Sequence, residues 1–408
     1  MNKLPEGWEW KKLGEVCEKT DNFSWNNYRG EKQYIDLTSV SRELLEVTDC
    51  QIINSKNAPS RAKKNVSTND VIFATTRPTL KRVTIIKSEY NDSICSTGFV
   101  VLRGKSDKIM PEWIYHIILT EPFMKYVKVM QKGASYPAIT DNEVKNYVIP
   151  LPPLVEQKRI VVILDEAFAA IDKAKANAEK NLANAKELFE SYLNGIFDPS
   201  TRSGQRNPGE EHRTEPAEVW EEKKLGDIGK VLMCKRIFKN QTSKSGDVPF
   251  YKIGTFGKKA NAYISQELYK EYRNKYSFPK KGDILLSASG TIGRRVKYDG
   301  KPAYFQDSNI VWIDNDEKQV LNDYLYHFYS ACKWKSTNGA TISRLYNDNL
   351  RQIDISFPRS KEKQQLIINK IDKISSEIKN LESIYQQKIS DLEELKKSIL
   401  KKAFEGEL

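Results

Sequence analysis

The sequence predicts an α+β protein: two pseudo-symmetric mixed α/β domains separated by a long antiparallel two-helix coiled coil. Three observations lead there. The most regular stretch of the chain, 165–197, recurs at 372–404 with a constant offset of 207 residues. Both copies carry apolar residues at heptad spacing. Ahead of each lies a longer segment of short β-rich runs broken by turn-forming residues.

The copies end as LFESYLNGIF (188–197) and LKKSILKKAF (395–404), so Leu188, Ser191, Leu193 and Phe197 fall on Leu395, Ser398, Leu400 and Phe404. Trp8 and KKLGE (11–15) return as Trp220 and KKLGD (223–227), and IYH (114–116) returns as LYH (325–327). NDVIFATTRPTLKRV (69–83) returns more loosely as GDILLSASGTIGRRV (282–296), the same length without a gap. A period near 207 residues is too long for a solenoid, so the repeating unit is a domain plus a helix. Duplication on this scale gives pseudo-two-fold symmetry, which suits a target with two similar half-sites.

Residues 1–152 read as the first mixed domain. VIFAT (71–75), RVTII (82–86) and FVVLR (99–103) are strand candidates, and PEWIYHIILT (111–120) is an amphipathic helix opened by proline. IPLPP (149–153) ends the domain, because proline removes backbone donors and biases its predecessor away from helix.

The spacer helix 153–197 follows. Its 3.5-residue positions are Ile160, Leu164, Ala167, Ile171, Ala174, Ala178, Asn181, Ala185, Leu188 and Tyr192. Their counterparts are Ile367, Ile371, Ile374, Ile378, Leu381, Tyr385, Lys388, Leu392, Leu395 and Ile399, nine of ten apolar or aromatic. Alanines in one copy stand where the other has isoleucine, leucine and tyrosine, and small facing large lets helices interdigitate. The two helices are therefore expected to pair antiparallel within one chain. Leu164, Ile171, Ala178 and Ala185 are expected at that interface with Ile371, Ile378, Tyr385, Leu392 and Ile399. A helix of this length is a rod of about 65 Å. Residues 198–216 (DPSTRSGQRNPGEEHRTEP) read as a polar linker, 217–358 as the second mixed domain and 359–408 as the second spacer helix.

Composition narrows the partner. Of 408 residues, Lys plus Arg number 66 against 54 Asp plus Glu, a net charge of +12. That balance points to a polyanion, either nucleic acid or an anionic membrane. No apolar run approaches the ~20 residues of a membrane span, and MNKLPEGWEW has no signal-peptide core. The five cysteines (Cys17, Cys50, Cys95, Cys234, Cys332) are scattered and never spaced as CxxC, as expected of buried thiols in a reducing cytoplasm. DNA or RNA in the cytoplasm is the leading expectation.

No catalytic constellation is present. There is no GxxxxGK[ST] or GxGxxG loop and no [DN]PP[YF] tetrad of the amino-methyltransferase kind; LPPL (151–154) lacks the polar acceptor. His116 and His327 occupy equivalent points of the repeat and read as structural, while His212 falls in the linker. Asp391, Glu393 and Glu394 lie on a solvated helix face, so no metal site is expected there.

Basic loops stand at matching places in both copies. Seven basic residues lie between Arg61 and Lys87 (Arg61, Lys63, Lys64, Arg77, Lys81, Arg82, Lys87) against one acid, Asp70. Seven more lie between Lys275 and Lys301, against Asp283 and Asp299. Lys280, Lys281, Ser289, Thr291, Arg294 and Arg295 are the candidates there. Each cluster surrounds a strand-to-loop transition, where glycine or proline lets backbone approach a phosphate that Arg and Lys neutralise. A second pair of loops, QKGASYPAIT (131–140) and STNGATISRL (336–345), adds Lys132, Ser135 and Tyr136 in one copy and Asn338 and Arg344, with Lys335 just ahead, in the other. Such side chains can reach base edges, sugars or phosphates. These loops differ sharply between copies while the helices agree, as expected if the halves read different half-sites.

The chain resembles the specificity (S) subunit of Type I restriction-modification enzymes along essentially its whole length. The resemblance rests on EGWEWKKLGEV at the start, IPLPPLVEQKRIVVILD at the first junction and ELKKSILKKAFEGEL at the C-terminus. The second junction, FPRSKEKQQLIINKID (357–372), departs from the pattern in lacking the paired prolines and the Glu-Gln dipeptide. The resemblance implies two target recognition domains held apart by the helices, double-stranded DNA as ligand, two modification subunits as partners and, in the full enzyme, restriction subunits as well. It implies no cofactor for this chain: S-adenosylmethionine would sit in the modification subunits, and ATP with Mg²⁺ in the restriction subunits. A non-catalytic, cytoplasmic subunit reading a bipartite asymmetric site is therefore expected. The competing readings are an architectural DNA-binding scaffold without sequence specificity and a stand-alone nuclease or methyltransferase.

Overall fold

The computed structural model describes residues 4–198 and 219–408, apart from 333, 335–336, 339–342 and 346; for Thr337, Asn338, Ser343 and Arg344 it describes the backbone alone. Except for Asp198, the expected linker with His212 lies outside the described residues. The chain divides into two compact units, Met1–Glu179 with Gln386–Leu408, and Lys180–Tyr385. Two long helices, Leu154–Phe197 and Lys361–Glu405, each begin in one unit and end in the other.

In the first unit, strand Glu9–Lys12 pairs antiparallel with Val148–Leu151, so the entry to the domain and its exit into the long helix lie side by side. A three-stranded sheet runs in the order Val83–Ile85, Val71–Ala74, Phe99–Leu102. Its central strand is buried on both faces. Val71 and Phe73 pack with Val100, Leu102, Trp113 and Ile114, while Ile72 and Ala74 pack with Ile35, Val66, Phe99 and Val101. Alternate residues of a strand face opposite sides, which is why VIFA is apolar without a break. A four-stranded sheet is ordered Gln51–Asn54, Glu31–Ile35, Ser93–Ser96, Ala62–Val66. Helix Pro111–Leu119 covers the core, with Trp113 donating from Nε1 to the Pro150 carbonyl at 3.2 Å. Ile160, Leu164, Phe168 and Ile171 of one long helix join this core from below, together with Leu400, Ala403 and Phe404 of the other.

The second unit repeats the plan. Strand Trp220–Lys224 pairs with Asp354–Pro358, and a four-stranded sheet runs Gly229–Leu232, Ile310–Asn315, Ile284–Ser287, Arg295–Lys297. Ile284, Leu286, Val311 and Ile313 meet Tyr324, Leu325 and Phe328 of helix Asn322–Ala331. Leu193 and Phe197 from one long helix and Ile368 and Ile371 from the other complete that core. Leu285, Ile310 and Trp312 face the opposite side, against Phe250, Tyr304 and Phe305.

Within each unit the long helices run antiparallel. In the first, Lys175 pairs with Glu393 at 2.7 Å and Asp172 with Lys396 at 3.1 Å. In the second, Lys186 pairs with Glu382 at 2.8 Å, and the Lys370 ammonium lies 5.4 Å from the Tyr192 ring centre. Leu164, Ile171, Ala178 and Ile371 are buried; Ala185, Ile378, Tyr385, Leu392 and Ile399 are half-buried.

The strict heptad fails in the second part of each helix. Leu188 and Leu395, members of the 3.5-residue series, are 73% and 47% exposed, and Asn181 and Lys388 of the same series are exposed as well. Beyond Ala178 the inward positions are Leu182, Ala185, Phe189, Leu193 and Phe197; the other helix turns Tyr385, Ile389, Leu392, Lys396, Leu400 and Ala403 inward. From Ala178 to Phe189 is an 11-residue step in three turns, 3.67 residues per turn against 3.5 for a heptad. The longer period follows a straight helix more closely and delivers Leu193 and Phe197 into a domain core.

His116 and His327 are both buried, with Nε2 lying 3.1 Å from Asp165 Oδ1 and 3.0 Å from Asp372 Oδ1. Each thus links the domain's covering helix to a long helix. Burial pushes His327 below the usual imidazole range, against the pull of Asp372. Cys17, Cys95 and Cys234 are buried, Cys50 and Cys332 half-buried, and all five are free thiols. Burial holds Cys17 and Cys234 up at about 12, so they behave as small apolar side chains.

Candidate nucleic-acid interface

The two basic loops singled out in the first copy converge. Ile139 N donates to the Thr75 carbonyl at 2.9 Å, Arg77 N donates to the Pro137 carbonyl at 2.7 Å, and Thr76 bridges to Ala138. Above this junction the Arg77 guanidinium lies 4.8 Å from the centre of the Tyr136 ring. Gly133 has φ +99°, and a Cβ there would come within 2.9 Å of the Tyr136 carbonyl oxygen, so the return loop requires glycine.

The second copy makes the corresponding junction: Leu345 N donates to the Ala288 carbonyl at 2.8 Å. Ahead of the strands, Asp70 and Asp283 each accept a bond from the backbone N–H three residues earlier, at 2.7 Å, anchoring equivalent turns.

Strand registers correct the gapless match of 69–83 with 282–296. Val71 pairs with Ile85, and its equivalent Ile284 pairs with Lys297. The offset is 213 entering the loop and 212 leaving it, so the second loop is one residue shorter. Arg82 is therefore matched by Arg294, and Lys81 by Gly293. The guanidinium contacts agree: Arg82 Nη1 donates to the Val40 carbonyl, and Arg294 Nη1 to the Phe256 carbonyl at 3.2 Å. Both arginines tie the base of the loop to the domain behind it.

Other candidates are engaged too. Lys64 donates to Asp141 and to the Phe99 carbonyl. Arg295 is half-buried over the Tyr326 ring at 4.6 Å, and desolvation lowers its pKa. Ser289 is buried and donates to Asn309 Oδ1 at 2.7 Å. Lys280 and Lys132 are exposed but face Asp314 at 2.9 Å and Glu143 at 3.6 Å. Arg61, Lys63, Arg77, Lys81, Ser135, Tyr136, Lys281 and Thr291 project into solvent. Lys335 lies outside the described residues, as do the side chains of Asn338 and Arg344, whose strands Thr337–Asn338 and Ser343–Arg344 pair antiparallel.

The sequence reading passed over two aromatic–basic groupings. Lys32 lies 5.7 and 5.5 Å from the Phe23 and Tyr28 rings, and Lys235 lies 5.0 Å from the exposed Tyr276 ring. Alternating Tyr, Arg and Lys in LYKEYRNKY (268–276) was the available signal for the second.

The family model described as "Type I restriction modification DNA specificity domain" matches residues 5–180 and 217–389. The Haemophilus influenzae protein S.HindORF215P, whose name assigns it to the type I restriction enzyme specificity subunits, is 46% identical over 280 residues, 68% of this chain and 67% of its own. The MjaIX specificity subunit of Methanocaldococcus jannaschii is 23% identical over 426 residues, 100% of this chain and 95% of its own. A chain solved in work on complex assembly and conformational transition of the type I R-M system superposes with a TM-score of 0.83 at 25% identity, covering all of both chains. The HsdS subunit from Thermoanaerobacter tengcongensis gives 0.66 at 25% identity, over 100% of this chain and 99% of that one.

Proposed function

This chain belongs to the Type I restriction modification DNA specificity family, and on that membership we propose that it is the DNA-recognition subunit of a Type I restriction-modification complex. It reads a bipartite, asymmetric duplex site through two unlike domains. One observation carries the reading: the same junction of two loops, Thr75 with Ile139 and Ala288 with Leu345, recurs in both halves with different side chains on it. A shared scaffold presenting different loops suits two specified segments of different sequence.

The long helices supply the spacing. Helices of 44 and 45 residues each rise about 66 Å. That rise equals roughly 19 base pairs at ~3.4 Å per base pair, and the proposed spacer is no longer than this. The specified segments therefore flank an unspecified spacer.

Catalysis belongs to other polypeptides under this reading. Two modification subunits dock on the chain and hold S-adenosylmethionine; restriction subunits, in the full enzyme, hold ATP and Mg²⁺. This chain holds neither and works in the cytoplasm. The family's printed names support the assembly, and among the described residues no helix is long and apolar enough to cross a membrane.

Mapping methylated adenines across the genome in cells with and without this chain tests the proposal. A chain-dependent, two-part motif with a constant spacer is the expected result. Methylation without such a motif, or DNA binding with no sequence preference, would overturn it.

A further inference from the structure

The loop of the first domain contains two residues in a backbone conformation that side chains disfavour. Arg77 has φ +49° and Lys81 φ +55°, both in the left-handed region. The register above matches them to Gly290 (φ +66°) and Gly293 (φ +81°) of the second domain. The turn thus needs left-handed backbone at both positions in both domains. Glycine meets that need at no steric cost, and the second domain uses it. The first domain places a basic side chain at each position instead. At Gly293 there is a packing reason for glycine, since a Cβ would collide with the Trp334 indole. At Gly290 a Cβ would meet nothing, so space alone does not choose between glycine and arginine there.

The side chain of Arg77 is presented rather than engaged. Among the described residues its guanidinium makes no ion pair or hydrogen bond, and its one partner is the Tyr136 ring, 4.8 Å away. Tyr136 is itself 70% exposed. A guanidinium resting against a ring keeps its N–H groups directed outward in its own plane. That fork matches the O6 and N7 acceptors of guanine in the major groove, the commonest specific contact between arginine and DNA. Lys81, exposed at the other left-handed position, offers a compact charge suited to a phosphate.

We infer that Arg77, braced by Tyr136, reads a guanine in the half-site of the first domain, and that Lys81 grips the adjacent phosphate backbone. The inference rests on the proposed DNA-recognition function and names the residue that specifies one base pair of it. The second domain, with Gly290 at the matching position, reads its half-site by other contacts.

The test uses cells expressing the full chain with its modification subunits, read out by methylome sequencing. Arg77→Gly restores the backbone preference of the second domain and leaves the fold intact. One G·C pair of one half-site is then expected to become unspecified, with discrimination against other pairs falling about tenfold or more; the other half-site and the spacer stay unchanged. Tyr136→Ala is expected to blur the same position, and Tyr136→Phe to preserve it. Lys81→Gly is expected to lower methylation at all sites equally without changing the motif. An unchanged motif with Arg77→Gly, or a uniform loss with no position affected, overturns the assignment of Arg77. If Arg77→Gly fails to accumulate, an unchanged motif with Tyr136→Ala overturns it instead. If the unmodified chain yields no two-part motif at all, the underlying function fails first and takes this inference with it.

Discussion

Gln157 and Gln364, 207 residues apart, make the same three hydrogen bonds. Gln157 accepts from Met110 N at 2.9 Å and donates to the Lys108 and Pro152 carbonyls at 2.8 and 2.9 Å. Gln364 accepts from Leu321 N at 2.9 Å and donates to the Gln319 and Pro358 carbonyls, both at 2.8 Å. Both side chains are fully buried. Each one locks the first turn of a long helix to the start of its domain's covering helix and to the last strand. The second junction lacks the paired prolines of the first, yet the glutamine clamp is complete there.

Replacing either glutamine by alanine strands one buried carbonyl, of Pro152 or Pro358, and two part-buried backbone groups. Gln157→Ala and Gln364→Ala are each expected to cost about 1–3 kcal/mol, the range for a buried group left unpaired. Thermal denaturation measures this directly. Gln157→Glu should be no better, because a carboxylate cannot donate to the two carbonyls. A loss under 0.5 kcal/mol in both alanine variants would mean that the clamp is ornamental.

The exposed leucines separate the two helical periods. Leu188→Gln and Leu395→Gln are expected to change stability by less than about 0.5 kcal/mol, as surface substitutions do. Leu193→Ala and Leu400→Ala should each cost about 2–4 kcal/mol through the cavity left in a domain core. Comparable losses in both sets, by chemical denaturation, would restore the strict heptad.

Acid should weaken the second unit through His327. Its pKa is lowered on folding by burial, so the unfolded chain binds a proton more readily. The stabilisation is full above the unfolded value of ~6.5 and is lost as pH falls below it toward the folded value. His327→Gln is expected to flatten the dependence of the unfolding midpoint on pH between about 7.5 and 5.5. An equally steep profile in the variant would assign the acid sensitivity to other groups.

Helix length should set the spacer of the target. Four residues inserted at equivalent points of both long helices add about 6 Å and rotate the downstream face by only ~40°, so the buried stripe nearly keeps its phase. The spacer in the methylation motif is expected to lengthen by one or two base pairs. An unchanged spacer would show that the helices do not act as a ruler.

Much of the candidate interface was hidden from sequence reading for a nameable reason. Lys64, Arg82 and Arg294 look like free basic residues in a loop rich in them. Whether a cation is free depends on which carbonyl or carboxylate the fold brings to it: Asp141 lies 77 residues from Lys64, and the Val40 carbonyl 42 residues from Arg82. The one-residue shortening of the second loop was equally invisible, since only strand pairing reveals it.

What the amino-acid order determined by itself is the duplication, the α+β character and the antiparallel partnership of two long helices. These follow from periodicity, proline placement and side-chain size, which act locally and add along the chain. Only the tertiary structure decided which faces of those helices stay buried past Ala178, which arginines brace loops and which project from them. Those outcomes depend on contacts between residues far apart in the chain, and no local pattern encodes such a meeting.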